Sequence, residues 1–321
     1  MNFFDEVDVD ERYLLKKYPK ILELLVCDKT TNKNIIWATD SYNDINLFFK
    51  DHISSKIIGE NNIIVPRSKK EKNEQSKRSK DNAEVFTPSW MCNVQNNLID
   101  EVWFGKRDVF NKEINNNTWK TNHEKIAFQD KEWIDYVRDI RIEITCGEAP
   151  YIVSRYDTVT GKKIKLENRI GLLDRKMRIV KENVSNEEEW IKYSLEALKS
   201  VYGFEWQGDN LILARENILL SYCDYYCDYF NDYPDEKTLL EVANIIAWNF
   251  WQMDGIKCVI PNSCKVEDDV EINLFEEESV VKCECKGCKN NDVFKHNGIY
   301  SKIMDWIDNK PIRFVDMIRR K

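Results

Sequence analysis

The chain has 321 residues, 42% of them hydrophobic and 32% charged, with a net charge of −8, enough apolar content for one large core or two modest ones. No apolar run reaches the ~20 residues that cross a bilayer. The opening MNFFDEVDVDERYLLKKYPK is acidic and amphipathic, without the charged-then-apolar layout of a secretion signal, so the chain reads as cytoplasmic. The acidic balance argues against binding nucleic acid over the whole surface, though not against a local basic patch. Ten cysteines in a reducing compartment suggest buried thiols or a metal site rather than disulfides.

In chain order, ILELLVCDKTTNKNIIWATD (21–40) holds two β-like runs around KTTNK and predicts a hairpin. RSKKEKNEQSKRSK (67–80) carries seven basic residues, two acidic and none apolar. Such a stretch cannot bury itself and predicts a mobile loop, either a solvated linker or an arm that follows phosphates. After Pro88 the pattern turns helical, with Thr87 or Pro88 at the helix start and Ser89 in its first turn. Residues 131–145 predict a short helix followed by a strand. Helices follow over 168–184 and 186–201, the second with Ser185 as cap and Glu188 completing a capping box. YGFEWQ (202–207) predicts a strand, and DNLILARENILLSYCDYYCDYF a long helix. LLEVANIIAWNFWQMDG predicts another helix, closed by Gly255. An acidic loop over 266–279 then leads to a cysteine cluster. This alternation defines an α/β fold.

In doubly wound folds the ligand sits at the C-terminal edge of the sheet, against the turn that follows the first strand, and that turn must be small enough for backbone N–H groups to approach. EITCGEAPY (143–151) fits in part, with Gly147 and Ala149 small and Pro150 fixing the bend. An acidic residue ending a neighbouring strand can accept from both ribose hydroxyls, and Glu205 stands in that place.

Together AEVFTP, EITCGEAPY, GFEWQGDNLILARENIL and IMDW, in that order over residues 83–318, resemble the gamma-type adenine-N6 DNA methyltransferases of restriction–modification systems. The resemblance implies a Rossmann-like class I fold that binds S-adenosylmethionine (AdoMet). It implies that Thr87 and Pro88 contact the methionine end of AdoMet. Glu143, Cys146, Gly147 and Ala149 would form the cofactor loop, with Pro150 and Tyr151 shaping its far side. Glu205 would hold the ribose, and Trp206 would either stack on the adenine or serve the core. Asp305 would accept from the adenine amino group, with Trp306 beside it. DNA is the implied partner. Residues 1–80 then form a small N-terminal extension of hairpin and basic loop, 81–257 the cofactor domain, and 258–321 a cysteine-rich segment whose strand and helix complete it.

The chain departs from that family in one decisive way. The N/D-P-P-aromatic tetrapeptide that makes the amine nucleophilic and stacks on the flipped base has no counterpart: VIPNS (259–263) and NKPI (309–312) each hold one proline and no following aromatic. The usual target-recognition region is missing too. Glu205 also lies more than fifty residues after Gly147, where about 20 is usual in dinucleotide folds, so at least two extra helices must intervene. A sheet without its catalytic strand would leave IRIEIT (140–145) as an open apolar edge, a template for pairing. Two arrangements follow. Either a second chain, or another copy of this one, supplies the missing parts, or a catalytic motif of unfamiliar form surrounds Asn249, Asn262 or Asn309. A third reading is a non-catalytic, methyltransferase-like scaffold or AdoMet sensor.

CECKGCKNNDVFKHNG supplies the second cluster. Cys283, Cys285 and Cys288 are spaced as thiolate ligands, and His296 follows; three thiolates and an imidazole make a closed structural zinc site. Cys264 or Cys258 is the alternative to His296 as fourth ligand.

Overall fold

A computed structural model describes residues 9–81, 83–272 and 278–318. Its centre is a parallel three-stranded sheet, β5 (Arg141–Ile144), β6 (Val201–Glu205) and β7 (Phe250–Gln252), in the order β5-β6-β7. Arg141 faces Val201 and Ile144 faces Phe204, while Gly203 faces Phe250 and Glu205 faces Gln252. Parallel neighbours need long crossovers. Here α7 (Leu172–Asn183) and α8 (Glu187–Lys199) join β5 to β6, and α9 (Gly208–Phe230) and α10 (Glu236–Asn249) join β6 to β7. The chain is therefore α/β, and α7 and α8 account for the long interval between Gly147 and Glu205.

Several local expectations are met. Helix α5 spans Ser89–Phe104 with Pro88 before its first turn, and α6 (Trp133–Arg138) leads into β5. Others shift. Asn186 rather than Ser185 caps α8, accepting from the Glu189 N–H at 2.9 Å, while the Glu189 carboxylate reaches back to the Ser185 N–H at 2.8 Å. Helix α10 stops at Asn249, not at Gly255, because Phe250 and Trp251 pair at once with β6 in β7. Of the hairpin expected over 21–40, only the turn survives. ILELLV lies in α2 (Pro19–Val26), which buries Ile21, Leu22, Leu25 and Val26 on one face, and the ladder is the two-residue pair β1 (Cys27–Asp28) and β2 (Lys33–Asn34).

The basic stretch is the clearest correction. It is not a mobile loop: a 3-10 turn over Arg67–Lys69 leads to helix α4 (Lys72–Asp81). Arg78 is 1% exposed, donating to Glu84 at 2.7 Å and pairing with Asp209 at 2.8 Å. Lys70, also buried, pairs with the same Asp209 carboxylate at 3.4 Å, and Tyr42 donates to it at 2.9 Å. The stretch buries two of its charges, Lys70 and Arg78, because a fixed carboxylate from α9 meets them.

Residues of α2, the segment around Trp37, α9 and α10 share one apolar core. Arg215, fully buried on α9, pins that core. Its guanidinium donates to Leu25 and Cys27 at the end of α2 and to Ala247 and Phe250 at the end of α10. It satisfies the terminal carbonyls of two helices at once, and burial pulls its pKa down to about 10.

The sheet has one covered and one bare region on a single face. Tyr202, Phe204, Trp251 and Met253 are sealed by Cys258, Ile303 and Val315. On the same face at the edge strand, Ile140, Ile142 and Ile144 are 61%, 44% and 67% exposed. Among the described residues β5 has β6 as its single strand neighbour, so the expected open apolar edge is present.

The C-terminal part is all short pieces. The acidic stretch expected as a loop pairs as a hairpin, β8 (Glu267–Ile272) with β9 (Glu278–Cys283); residues 273–277 lie outside the described residues. After α11 (Lys286–Asn290), β10 (Lys302–Asp305) pairs with β11 (Lys310–Arg313), and α12 (Phe314–Ile318) follows. No helix among the described residues is long and apolar enough to cross a membrane.

Candidate functional site: a cleft at the C-terminal end of the sheet

Strand β5 runs directly into the bend quoted above. Cys146 N–H bonds back to the Phe204 carbonyl at 2.9 Å, keeping the bend attached to β6. Thr145, Gly147 and Ala149 then all take positive φ, at 50°, 52° and 61°. That conformation is costless for Gly147 and strained for its two neighbours. The alternation of straight and left-handed residues curls the chain into a small loop with its N–H groups turned inward.

Glu205, ending β6, holds this loop. One carboxylate oxygen accepts the Gly147 N–H at 2.8 Å, and the other accepts those of Trp206 and Gln207 at 2.9 and 3.1 Å. Glu143 accepts Tyr151 and Ile152 N–H groups on the far side of the bend. Both carboxyls are buried, and among the described residues no cation pairs with either. Burial therefore raises both above the ordinary carboxylate range, with the charge of Glu205 adding to the rise at Glu143. Cys146 lies between them, and burial followed by these two carboxylates pushes its thiol up.

These groups border a cleft of about 840 Å3, within the range of small-ligand sites. Of the residues named from sequence, Thr87, Glu143, Cys146, Gly147, Pro150, Tyr151, Glu205 and Trp206 line it. Ala149 is fully buried beneath the loop. Pro88 sits one step back, at the start of α5, where the carboxylate of Asp157 accepts the Ser89 N–H at 2.7 Å. Trp206 has an anchored edge, its indole N–H donating to the Ala38 carbonyl at 3.1 Å.

Asp305 and Trp306 do not join this group. They lie on the hairpin β10–β11 at the opposite end of the sheet. The Asp305 carboxylate caps its own turn through Ile307 and Asp308 N–H groups, and Trp306 donates to Asn249 at 2.8 Å. Asn249 stands just before β7, and its amide donates to the carbonyls of Leu198, Lys199 and Val201, just before and at the start of β6. Its polar atoms are engaged in joining those strand starts.

Sequence reasoning missed one wall of the cleft. Ala38, Thr39, Asp40 and Phe49 line it, carried there because Gln252 grips the Ile36 backbone in both directions and Gly208 N–H bonds to Trp37. Nothing local in that segment announces the role. Glu148 was also missed. Almost fully buried, it accepts the Arg67 N–H and the Tyr156 hydroxyl, both at 2.6 Å, tying the loop to the basic segment. An acidic residue inside a loop of small residues was the available signal.

The second cluster is also present, with one substitution. The ligand atoms of Cys264, Cys285, Cys288 and His296 lie within 4.8 Å of one another, a set able to hold a metal ion. Cys283 is not a member; it ends β9, opposite Glu267. Continuing that register past the ladder carries Cys264 to the 285–288 turn, which is why a cysteine some twenty residues upstream enters the site. Cys258, the other alternative, is buried among the residues that cover the sheet.

No protein-family model, curated protein or solved structure matches this chain.

Proposed function

We propose that the chain is the AdoMet-binding part of a cytoplasmic DNA adenine-N6 methyltransferase with a Rossmann-like cofactor fold, completed by a second polypeptide that brings the N/D-P-P-aromatic motif and target recognition. The observation that carries the reading is convergence. Three motifs far apart in sequence, around Thr87, around Gly147 and around Glu205, border one cleft at the C-terminal ends of β5 and β6, the place where α/β sheets bind ligands.

The cleft chemistry supports a cationic ligand with hydroxyl groups. Among the described residues no cation pairs with Glu143 or Glu205, and Gly147 lets the backbone come close without a Cβ. Glu205 already accepts three N–H groups, so of a carboxylate's roughly four acceptor positions about one remains for a ribose hydroxyl. AdoMet would supply the electrophilic methyl. This chain's residues would bind and orient it, while the adenine-contacting role assigned to Asp305 passes elsewhere. The exposed edge at Ile140, Ile142 and Ile144 supports a partner strand there. For the metal cluster the reading is zinc, in a closed structural site.

Calorimetry with AdoMet and tritiated-methyl transfer to adenine-containing DNA test this reading. Binding by the chain alone, with transfer appearing when a chain carrying the missing motif is added, is the expected result. Absence of AdoMet binding overturns it. Binding without transfer under any partner leaves the sensor or scaffold role.

A further inference from the structure

This inference rests on the zinc reading and extends it: we propose that zinc held by Cys264, Cys285, Cys288 and His296 is the clasp that keeps the C-terminal segment closed over the sheet.

The spacing of the four ligands suits that ion. With Zn–S about 2.3 Å and Zn–N about 2.0–2.1 Å in a tetrahedron, sulfur and nitrogen stand about 3.6 Å apart. The three thiol sulfurs lie 3.6, 3.6 and 3.7 Å from the same His296 Nδ1. A ring nitrogen has one proton or one lone pair, enough for one hydrogen bond. Three near-equal sulfur neighbours are the arrangement of a shared cation between them.

The surroundings are built for thiolates. Cys285 Sγ accepts the Cys288 N–H at 3.4 Å. Lys257 stands near enough to Cys264 and Cys288 for their charge to act on its ammonium, which would offset the single negative charge that three thiolates leave on a dication. Gly287 has no Cβ for a physical reason: one would stand 2.6 Å from both the backbone nitrogen and the Nδ1 of His296.

The clasp has something to hold. His296 N–H donates to the Tyr300 hydroxyl at 3.0 Å, which donates to the Val293 carbonyl at 2.8 Å. Val293, Phe294 and Tyr300 pack against the apolar cluster in which Cys258, Ile303 and Val315 meet Tyr202, Phe204, Trp251 and Met253 of the sheet region. The ligand-bearing helix α11 has five residues, too short to persist by itself. Metal ligation therefore supplies the order from which these side chains reach the sheet.

The test is metal analysis and hydrogen exchange on the full chain. The expected result is one zinc per chain, and on chelation a fall of about tenfold or more in amide protection over 285–300 and at β7, with the centre of α9 unchanged. A chain purified in zinc-supplemented medium without bound metal overturns the zinc reading itself. Bound zinc whose removal leaves β7 protection unchanged overturns the clasp while sparing the site. Cys288→Ser should lose the metal, whereas Cys283→Ser should keep it, and His296→Cys should retain it as a four-thiolate site. Cobalt substitution gives a thiolate-to-metal absorption band that reads the same differences even where a variant folds poorly. Loss of that band in Cys283→Ser, with its retention in Cys264→Ser, would also overturn the assignment.

Discussion

Glu205 and Asp209 lie four residues apart, one ending β6 and the other in the first turn of α9, both almost sealed from water. Their carboxyls nonetheless shift in opposite directions. Glu205 is raised by burial, which its three backbone N–H partners do not overcome. Burial would raise Asp209 too, but Arg78 and Lys70 outweigh it and hold the group down at about 2. The difference separates two jobs. Asp209 is satisfied by cations of its own chain and fastens the basic helix α4 as a wall. Glu205 has N–H partners and, among the described residues, no ion pair, and it holds the Gly147 loop at the cleft.

Removing Arg78 is the harshest way to break that contrast. Arg78→Ala takes the nearest cation from both Asp209 and Glu84, leaving them Lys70 and Arg67, and should cost about 3 kcal/mol, measured by urea unfolding. A loss under about 1 kcal/mol would mean that α4 is not held by this network. Glu205→Ala comes next. It should weaken AdoMet binding by about 1.5–3 kcal/mol, and unchanged affinity in calorimetry would remove the ribose assignment.

Acid should divide the two carboxylates by pH. The raised groups, Glu143 and Glu205, protonate first, above the ordinary value of about 4.3. Cofactor affinity should fall in that window, while the fold gains stability, since a raised carboxyl binds its proton more tightly folded than unfolded. Asp209 acts in the reverse sense. Its contribution of about 2 kcal/mol is present above about pH 4 and lost as pH falls toward 2. Stability and affinity curves that move together throughout would contradict the division. The smallest effect is expected at Asp305→Ala, which removes a turn cap far from the cleft: about 1 kcal/mol or less in stability and no change in AdoMet affinity. A clear affinity loss there would return Asp305 to the site.

Much of the cleft was legible because its residues are constrained locally. A bend with small residues after a strand, and an acid at a strand end, follow from backbone needs that leave a mark in a few consecutive positions. Asp305 and Trp306 misled because IMDW looks the same at either end of a sheet; only the antiparallel return of β10 beside Tyr202, whose hydroxyl reaches the Met304 carbonyl, shows which end it occupies. The basic stretch misled for a different reason. Charge alone predicts solvation, and the burial of Arg78 depends on an aspartate more than a hundred residues away.

By itself the sequence determined the α/β alternation, the helix α9, the bend around Gly147 and the acid ending the neighbouring strand, because periodicity, turn residues and strand ends are short-range constraints. The tertiary structure alone decided that residues 38–40 wall the cleft, that Cys264 rather than Cys283 joins the set able to hold a metal, and that Asp305 and Trp306 stand away from the cleft. Each of those depends on strand order, on hairpin register or on partners distant in the chain, and pairing of that kind leaves no local pattern to read.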